Sequence, residues 1–187
     1  MPPKVKVTRE EILQTALDVV RNDGVQALGA RTVAAVLGCS TQPIFSNFAT
    51  MEELKSAVVQ QAFALYQDYL RTEMESGAHP PYKSSGLAYI RFAKEEKELF
   101  KLLFMCDRSE EVASVEEPSF TQMVDFVRQQ TGMDEQTARL FHLEIWVYVH
   151  GIATMFATSF LDLEWELVSK MLTDVYLGMR KQYGMEG

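Results

Sequence analysis

The sequence predicts an all-α fold of about nine helices, three short ones followed by about six longer ones. Apolar residues recur at helical spacing along most of its 187 residues. Threonine–glutamate pairs three residues apart mark helix starts, and glycines mark helix ends. No segment shows a convincing strand pattern, and neither a repeat nor a low-complexity tract is present.

Residues 8–23 form the first predicted helix. Thr8 and Glu11 make a capping box, Ile12, Leu13, Ala16, Leu17 and Val20 make the apolar stripe, and Gly24 closes it. Residues 32–37 follow, with Val33, Ala34, Val36 and Leu37 at helical spacing. Gly38 ends this helix, because glycine takes the left-handed backbone without strain. Ser40 is the expected N-cap of the next, short helix, and Pro43 falls in its first turn, where a missing N–H matters least. Helix, glycine turn and capped short helix make a helix-turn-helix, whose second helix normally enters the major groove of DNA.

Thr50 and Glu53 form a second capping box, which opens a long helix over 51–75. The stretch SGAHPP at 76–81 breaks it. Residues 82–105 read as helical with a bend near 94–98, and 107–118 as an acidic loop. Further helices are predicted over 117–130, closed by Gly132, over 134–159 with Asp134 as N-cap, and over 161–183. The expected division is residues 1–50 for the helix-turn-helix unit and 51–187 for a C-terminal helical domain, joined by the helix that starts at Met51.

With 47% hydrophobic residues the chain can bury a substantial core. No uninterrupted apolar run reaches the roughly 18 residues of a membrane span, and the start MPPKVKV lacks a signal-peptide apolar stretch, so a cytoplasmic location is expected. Cys39 and Cys106 offer neither a disulfide framework nor metal spacing. Cys39 reads as a small hydrophobe and not a redox sensor, and Asp107 beside Cys106 disfavours a thiolate. The net charge is −8. Residues 1–47 carry five basic and four acidic groups, a net of +1, which leaves −9 on the rest of the 18 basic and 26 acidic groups. Such a balance excludes indiscriminate nucleic-acid binding, and anionic lipid would repel the C-terminal part. Catalytic signatures are missing as well: no paired carboxylates at a clear site, no glycine-rich phosphate loop, no nucleophile–histidine arrangement. The chain is therefore not expected to be an enzyme, and no cofactor is expected.

From Ile12 to Leu54, and above all in LGCSTQPIFSNF followed by a capped helix, the chain resembles the TetR family of transcriptional regulators. The segment EIWVYVHGI, with Trp146, His150 and Gly151, and the stretch AYIRFAKEEKELFKLLFM resemble one C-terminal subfamily marked by a tryptophan–histidine–glycine signature. The resemblance implies a homodimer, a double-stranded DNA operator and a small-molecule pocket within the C-terminal helices. Phe45 stands where relatives commonly have Tyr, Asn47 where they have His, Met51 where they often have Lys, and Gly29 where a Ser or Thr cap is usual. Several usual phosphate contacts are thereby weakened or missing.

Nine residues are candidates for DNA contact. Arg31 and Thr32 lie in the first turn of the second helix, whose free amides should face a phosphate. Ser40, Thr41 and Gln42 begin the recognition helix, and the Gln42 amide can pair bidentately with adenine. Pro43 offers an apolar surface to a thymine methyl. Ser46 and Asn47 can bond phosphate or base, whereas Phe45 suits either the core or a sugar or methyl contact. Ile44 and Phe48 read as core. Lys4 and Lys6 suit a backbone-tracking arm or a solvated tail.

The candidate pocket lining is Phe63, Tyr66, Phe92, Phe100, Leu103, Phe104, Met123, Phe126, Trp146 and His150, of which about a third should meet a ligand. Such a composition favours a lipophilic or aromatic ligand. His142, Trp146 and His150 share one helical stripe, with the histidines about 12 Å apart, too far to share a metal. Trp146 and His150 fit either a pocket wall or a packed helix, and His142 fits packing. By the resemblance, the dimer interface comes from the last two helices, with Leu163, Leu167, Met171, Leu172, Val175, Tyr176 and Met179 on the last. A symmetric dimer would set two recognition helices about 34–36 Å apart on a near-palindrome. The function expected is a repressor released from its operator by ligand. Alternatives are an activator, or a regulator controlled by a protein partner.

Overall fold

A computed structural model describes residues 7–106 and 118–185. Lys4, Lys6 and nearly all of the expected acidic loop lie outside the described residues. Nine α-helices occur among those described: α1 (Arg9–Asp23), α2 (Ala30–Val36), α3 (Gln42–Asn47), α4 (Met51–Glu75), α5 (Pro81–Glu95), α6 (Lys97–Phe104), α7 (Pro118–Thr131), α8 (Glu135–Ala157) and α9 (Trp165–Gln182). A short 3₁₀ turn, Val25–Ala27, which the sequence reading omits, connects α1 to α2.

Local chemistry explains most boundaries. The Thr8 hydroxyl accepts the Glu11 amide at 3.1 Å and the Glu11 carboxylate accepts the Thr8 amide at 2.8 Å, a complete capping box. At α4 only half of the expected box forms. The Thr50 hydroxyl accepts the Glu53 amide at 3.1 Å, but the Glu53 carboxylate reaches past Thr50 to the Ala49 amide at 2.7 Å. Gly38, at φ +64°, ends α2. There the Cys39 amide bonds to Ala34 O and the Gly38 amide to Ala35 O, the paired reversal of a glycine C-terminal stop. Asp134 caps α8 by accepting the Thr137 amide and hydroxyl at 3.1 and 2.6 Å. These bonds hold its carboxyl below the usual range.

The bend expected near 94–98 is a break at Glu96, whose backbone leaves the helical region. Its carboxylate accepts from Arg21 Nε of α1 at 2.8 Å, and the break lets α6 lie against α1. The last helix starts at Trp165 and not at 161, because α8 stops at Ala157 and Ser159 takes a left-handed turn at φ +55°.

One contiguous apolar core runs through both parts. Ile12, Leu17 and Val20 of α1 meet Val33, Ile44 and Phe48, and continue through Leu54 and Val58 of α4 to Leu99 and Phe100 of α6. No flexible linker separates the two expected units; α4 and α6 serve both. Beyond them α5 and α8 pack along their lengths, flanked by α7 and α9. By length and composition α8 could cross a membrane, but here it is the bundle's central helix, burying Phe141, Ile145, Ile152 and Phe156.

Candidate DNA-binding face, aromatic interior and apolar flank

The N-terminal face is built from the two ends of α2 and α3. Gly29 precedes α2 without a side-chain cap, and Arg31 and Thr32 stand exposed on the first turn. Arg31 has no ion-pair partner among the described residues. Helix α3 begins at Gln42, with Thr41 as a cap residue whose side chain makes no capping bond. The expectation that Ser40 caps α3 is therefore corrected. Thr41 already has helical dihedrals and its carbonyl accepts the first helical bond, from Phe45 N at 3.3 Å. Ser40 lies one residue too early to reach the first-turn amides, which leaves it exposed.

Ile44 and Phe48 are buried as expected, at 0% and 1% exposure, and fix the inner face of α3. Gln42, Phe45 and Ser46 face outward; Phe45 is 49% exposed, so the choice left open for it resolves away from the core. Thr41, Pro43 and Asn47 are half-buried. The Ser46 hydroxyl donates to Gln42 O at 2.9 Å, and Asn47 Nδ2 donates to Pro43 O at 2.8 Å. Asn47 is thus engaged within its own helix through its amide nitrogen. Arg9, which the sequence reading passed over, reaches this unit from α1. It bonds to the Asn47 carbonyl, pairs with Glu53 and covers the Phe48 ring. Its position just after the Thr8 cap was a legible signal; its long reach was not.

The C-terminal bundle holds two aromatic groups, the first of which reaches the surface at Phe63 and Trp146, 44% and 40% exposed. In the first, Tyr66 of α4 sits 5.2–6.0 Å, ring centre to ring centre, from Phe63, Tyr89, Phe92 and Phe104. Tyr89 continues to Phe100 and Phe104 at 5.1 and 4.9 Å. Its hydroxyl lies 2.8 Å from His150 Nδ1, and Trp146 stacks on His150 at 5.2 Å and 17°. Leu103 of α6 is buried in the same core. The structure therefore assembles most of the predicted lining, but Phe92 and Phe100 are completely buried and act as packing.

Phe126 belongs elsewhere. It stacks on Tyr82 at 6.3 Å and 7°, in a second group with His142, Phe120 and Tyr176. Met123 lies half-buried on α7, on that side of the bundle. The Tyr82 hydroxyl is 2.8 Å from His142 Nδ1. Burial pushes the His142 pKa down to about 4 and lowers that of His150 as well. Burial also raises the Tyr66 and Tyr82 hydroxyls. The seven-residue spacing of Tyr82 and Tyr89 on α5 and the eight-residue spacing of the histidines on α8 give two stacked Tyr–His pairs across one helix interface. Among the described residues no group of three or more potential metal ligands occurs.

Within the single chain, the residues expected at the dimer face differ in how far they are covered. Leu172 is only 6% exposed, packed towards Gly86 of α5. Val175, Tyr176 and Met179 are half-buried against the chain's own core, and Tyr176 meets Phe141 and Tyr82. The apolar stripe of α9 turns inward because α5 and α8 supply a groove for it. Leu167 and Leu177, at 45% and 54% exposure, remain outside, while Leu163 and Met171 lie partly covered. The open apolar surface lies chiefly on α8 and the turn after it: Leu140, Val147 and Met155, then Phe160, which is 81% exposed, and Leu161. A Cβ on Gly151, on the same stripe, would meet nothing within 4 Å. Within one chain, then, no helix packs closely against that glycine.

Residues 83–174 match the family described as tetracyclin repressor-like, C-terminal domain. No curated protein sequence matches the chain. Among solved structures, a TetR-like transcriptional regulator from Rhodococcus sp. RHA1 superposes with a TM-score of 0.69 at 15% identity, covering 98% of this chain and 99% of that one. A protein of unknown function from Rhodococcus sp. RHA1 gives 0.69 at 22% identity, over 94% and 97%. The multidrug binding protein EbrR, in complex with malachite green, gives 0.56 at 18% identity, over 92% and 98%. At these identities the likeness is one of fold.

Proposed function

We propose, for a chain whose residues 83–174 match the tetracyclin repressor-like C-terminal domain family and whose whole fold is TetR-like, that it is a sequence-specific DNA-binding transcriptional regulator acting as a homodimer. The observation that carries this reading is the outer face of the N-terminal unit. Arg31, Thr32, Ser40, Gln42, Phe45 and Ser46 are exposed on two short helices and the turn between them, and the inner residues of those helices are locked in the core. Such a face has donors and acceptors for base edges, an amide-bearing helix start for phosphate and a ring for thymine methyls. Residues 1–50 carry this role, and residues 51–187 carry dimerisation and control.

The dimer partner covers the exposed stripe of α8 together with Leu167 and Met171 of α9, and Gly151 lets two copies of α8 approach closely. The first aromatic group, from Tyr66 to Trp146, is the seat of a lipophilic or aromatic ligand that releases the protein from its operator. EbrR, a protein of this fold, is known in complex with the aromatic dye malachite green. The rings are already in mutual contact, so a ligand must turn Tyr66, Phe104 or Trp146 aside to enter. The same contacts favour a second reading, in which the interior stays filled and a protein partner supplies control.

Selection from random duplex DNA by the purified protein, at two salt concentrations, tests the reading. A near-palindrome with half-sites about one helical turn apart is the expected result. Enrichment of nothing, by a preparation shown by mass spectrometry to be ligand-free, would overturn it.

A further inference from the structure

Helix α3 presents the residues proposed to meet DNA, yet it has few anchors of its own. It is six residues long and lacks a side-chain capping bond at its start. An isolated helix of that length is unstable in water. Ile44 and Phe48 hold its inner face, but they cannot satisfy the carbonyls left open at its C-terminus. Arg9, in the first turn of α1, does so. Its Nη1 donates to the carbonyl oxygen of Asn47, the last residue of α3. Its Nη2 pairs with Glu53 Oε1 at 3.1 Å. The guanidinium carbon stands 3.8 Å from the centre of the Phe48 ring. The other Glu53 oxygen accepts the Ala49 amide at 2.7 Å. A single planar cation therefore ties the start of α1 to the end of α3 and the start of α4.

Positive charge at the C-terminus of α3 complements the helix dipole. Two donors and a flat face are engaged at once, which a guanidinium can do and an ammonium cannot. The Arg9 and Glu53 side chains are 44% and 42% exposed, so the pair adds little to global stability. Its effect is on orientation: without it, α3 is free to fray and to rotate about Ile44 and Phe48.

We propose that Arg9 is a positioning residue that holds the recognition helix at the pitch where Gln42, Phe45 and Ser46 meet the groove, without itself touching DNA. This inference rests on the DNA-binding reading, and its test separates the two. The variants are Arg9→Lys, which keeps the charge, and Glu53→Gln, which removes the ionic partner. In the DNA-free protein, amide exchange of Phe45 and Phe48 should quicken about tenfold in Arg9→Lys, with α1 and α4 amides unchanged. Unchanged exchange in α3 would overturn the proposal whether or not the protein binds DNA. On the selected operator, Arg9→Lys should lower the ratio of specific to non-specific affinity about tenfold, with the salt dependence unchanged. A direct phosphate contact predicts otherwise: Arg9→Lys would keep that ratio, Glu53→Gln would tighten binding to every duplex, and this pattern would overturn the proposal. If the wild type selects no duplex, the DNA-binding reading fails while exchange still decides the role of Arg9.

Discussion

Lowering the pH should destabilise this protein through His142. The imidazole is 7% exposed on α8, with Nδ1 2.8 Å from the Tyr82 hydroxyl and the Phe120 ring centred 4.7 Å away. Burial lowers its pKa from an ordinary 6.5 to about 4. Between those values the unfolded chain binds a proton that the folded chain refuses, so stability falls as pH falls through 6.5 and the loss levels off below about 4. Going from pH 7.5 to pH 5 should cost about 2 kcal/mol from this group alone. Protonation would also make Nδ1 a donor only, so the Tyr82 hydroxyl 2.8 Å away would have to accept from it. Urea unfolding at the two pH values, at one fixed protein concentration, measures the loss. His142→Gln keeps a hydrogen-bonding partner for Tyr82 and removes the titration, so its loss should be about 2 kcal/mol smaller. His150 titrates in both proteins and cancels. Equal losses in wild type and variant would refute the assignment of a neutral, buried His142.

Four further outcomes follow from packing and charge. Val147→Glu, at a residue 57% exposed, should weaken self-association about tenfold or more by sedimentation, with the monomer still folded; Leu172→Ala, by contrast, should cost about 2–4 kcal/mol of stability in denaturant melts, because that side chain fills the chain's own core. Arg31→Ala should reduce the slope of log affinity against log salt by about 1.8 per dimer, or about 0.9 for each phosphate no longer neutralised, read from operator titrations. Gly24→Ala should destabilise by about 1–2 kcal/mol in thermal or urea unfolding. Gly24 has φ +80°, and a Cβ there would lie 3.0 Å from the Glu98 carboxylate.

The helices were legible from the order of residues, because their signals are local. Thr8 with Glu11, Gly38 and Asp134 act within one turn of chain, and their effects are the same whatever packs nearby. Periodicity likewise dictated which side of α1 and of α3 turns inward, so Ile12, Ile44 and Phe48 were legible as core. Local signals failed where two geometries compete within a residue or two: Ser40 and Thr41 both suit a cap, and Glu53 can reach Thr50 or Ala49.

Which apolar surface stays open, and which polar groups meet, depended on the folded chain. The stripes of α8 and α9 are both apolar, and nothing in either says that α5 will cover Leu172 while leaving Val147 bare. That outcome rests on how three helices pack, and packing is decided by volumes contributed from segments far apart in the chain. The same holds for Tyr82 with His142 and Tyr89 with His150, each pair brought together from about sixty residues apart. Arg9 and Asn47, 38 residues apart, are the clearest case: the sequence shows a charged residue after a cap, and only the fold shows that its reach ends on the recognition helix.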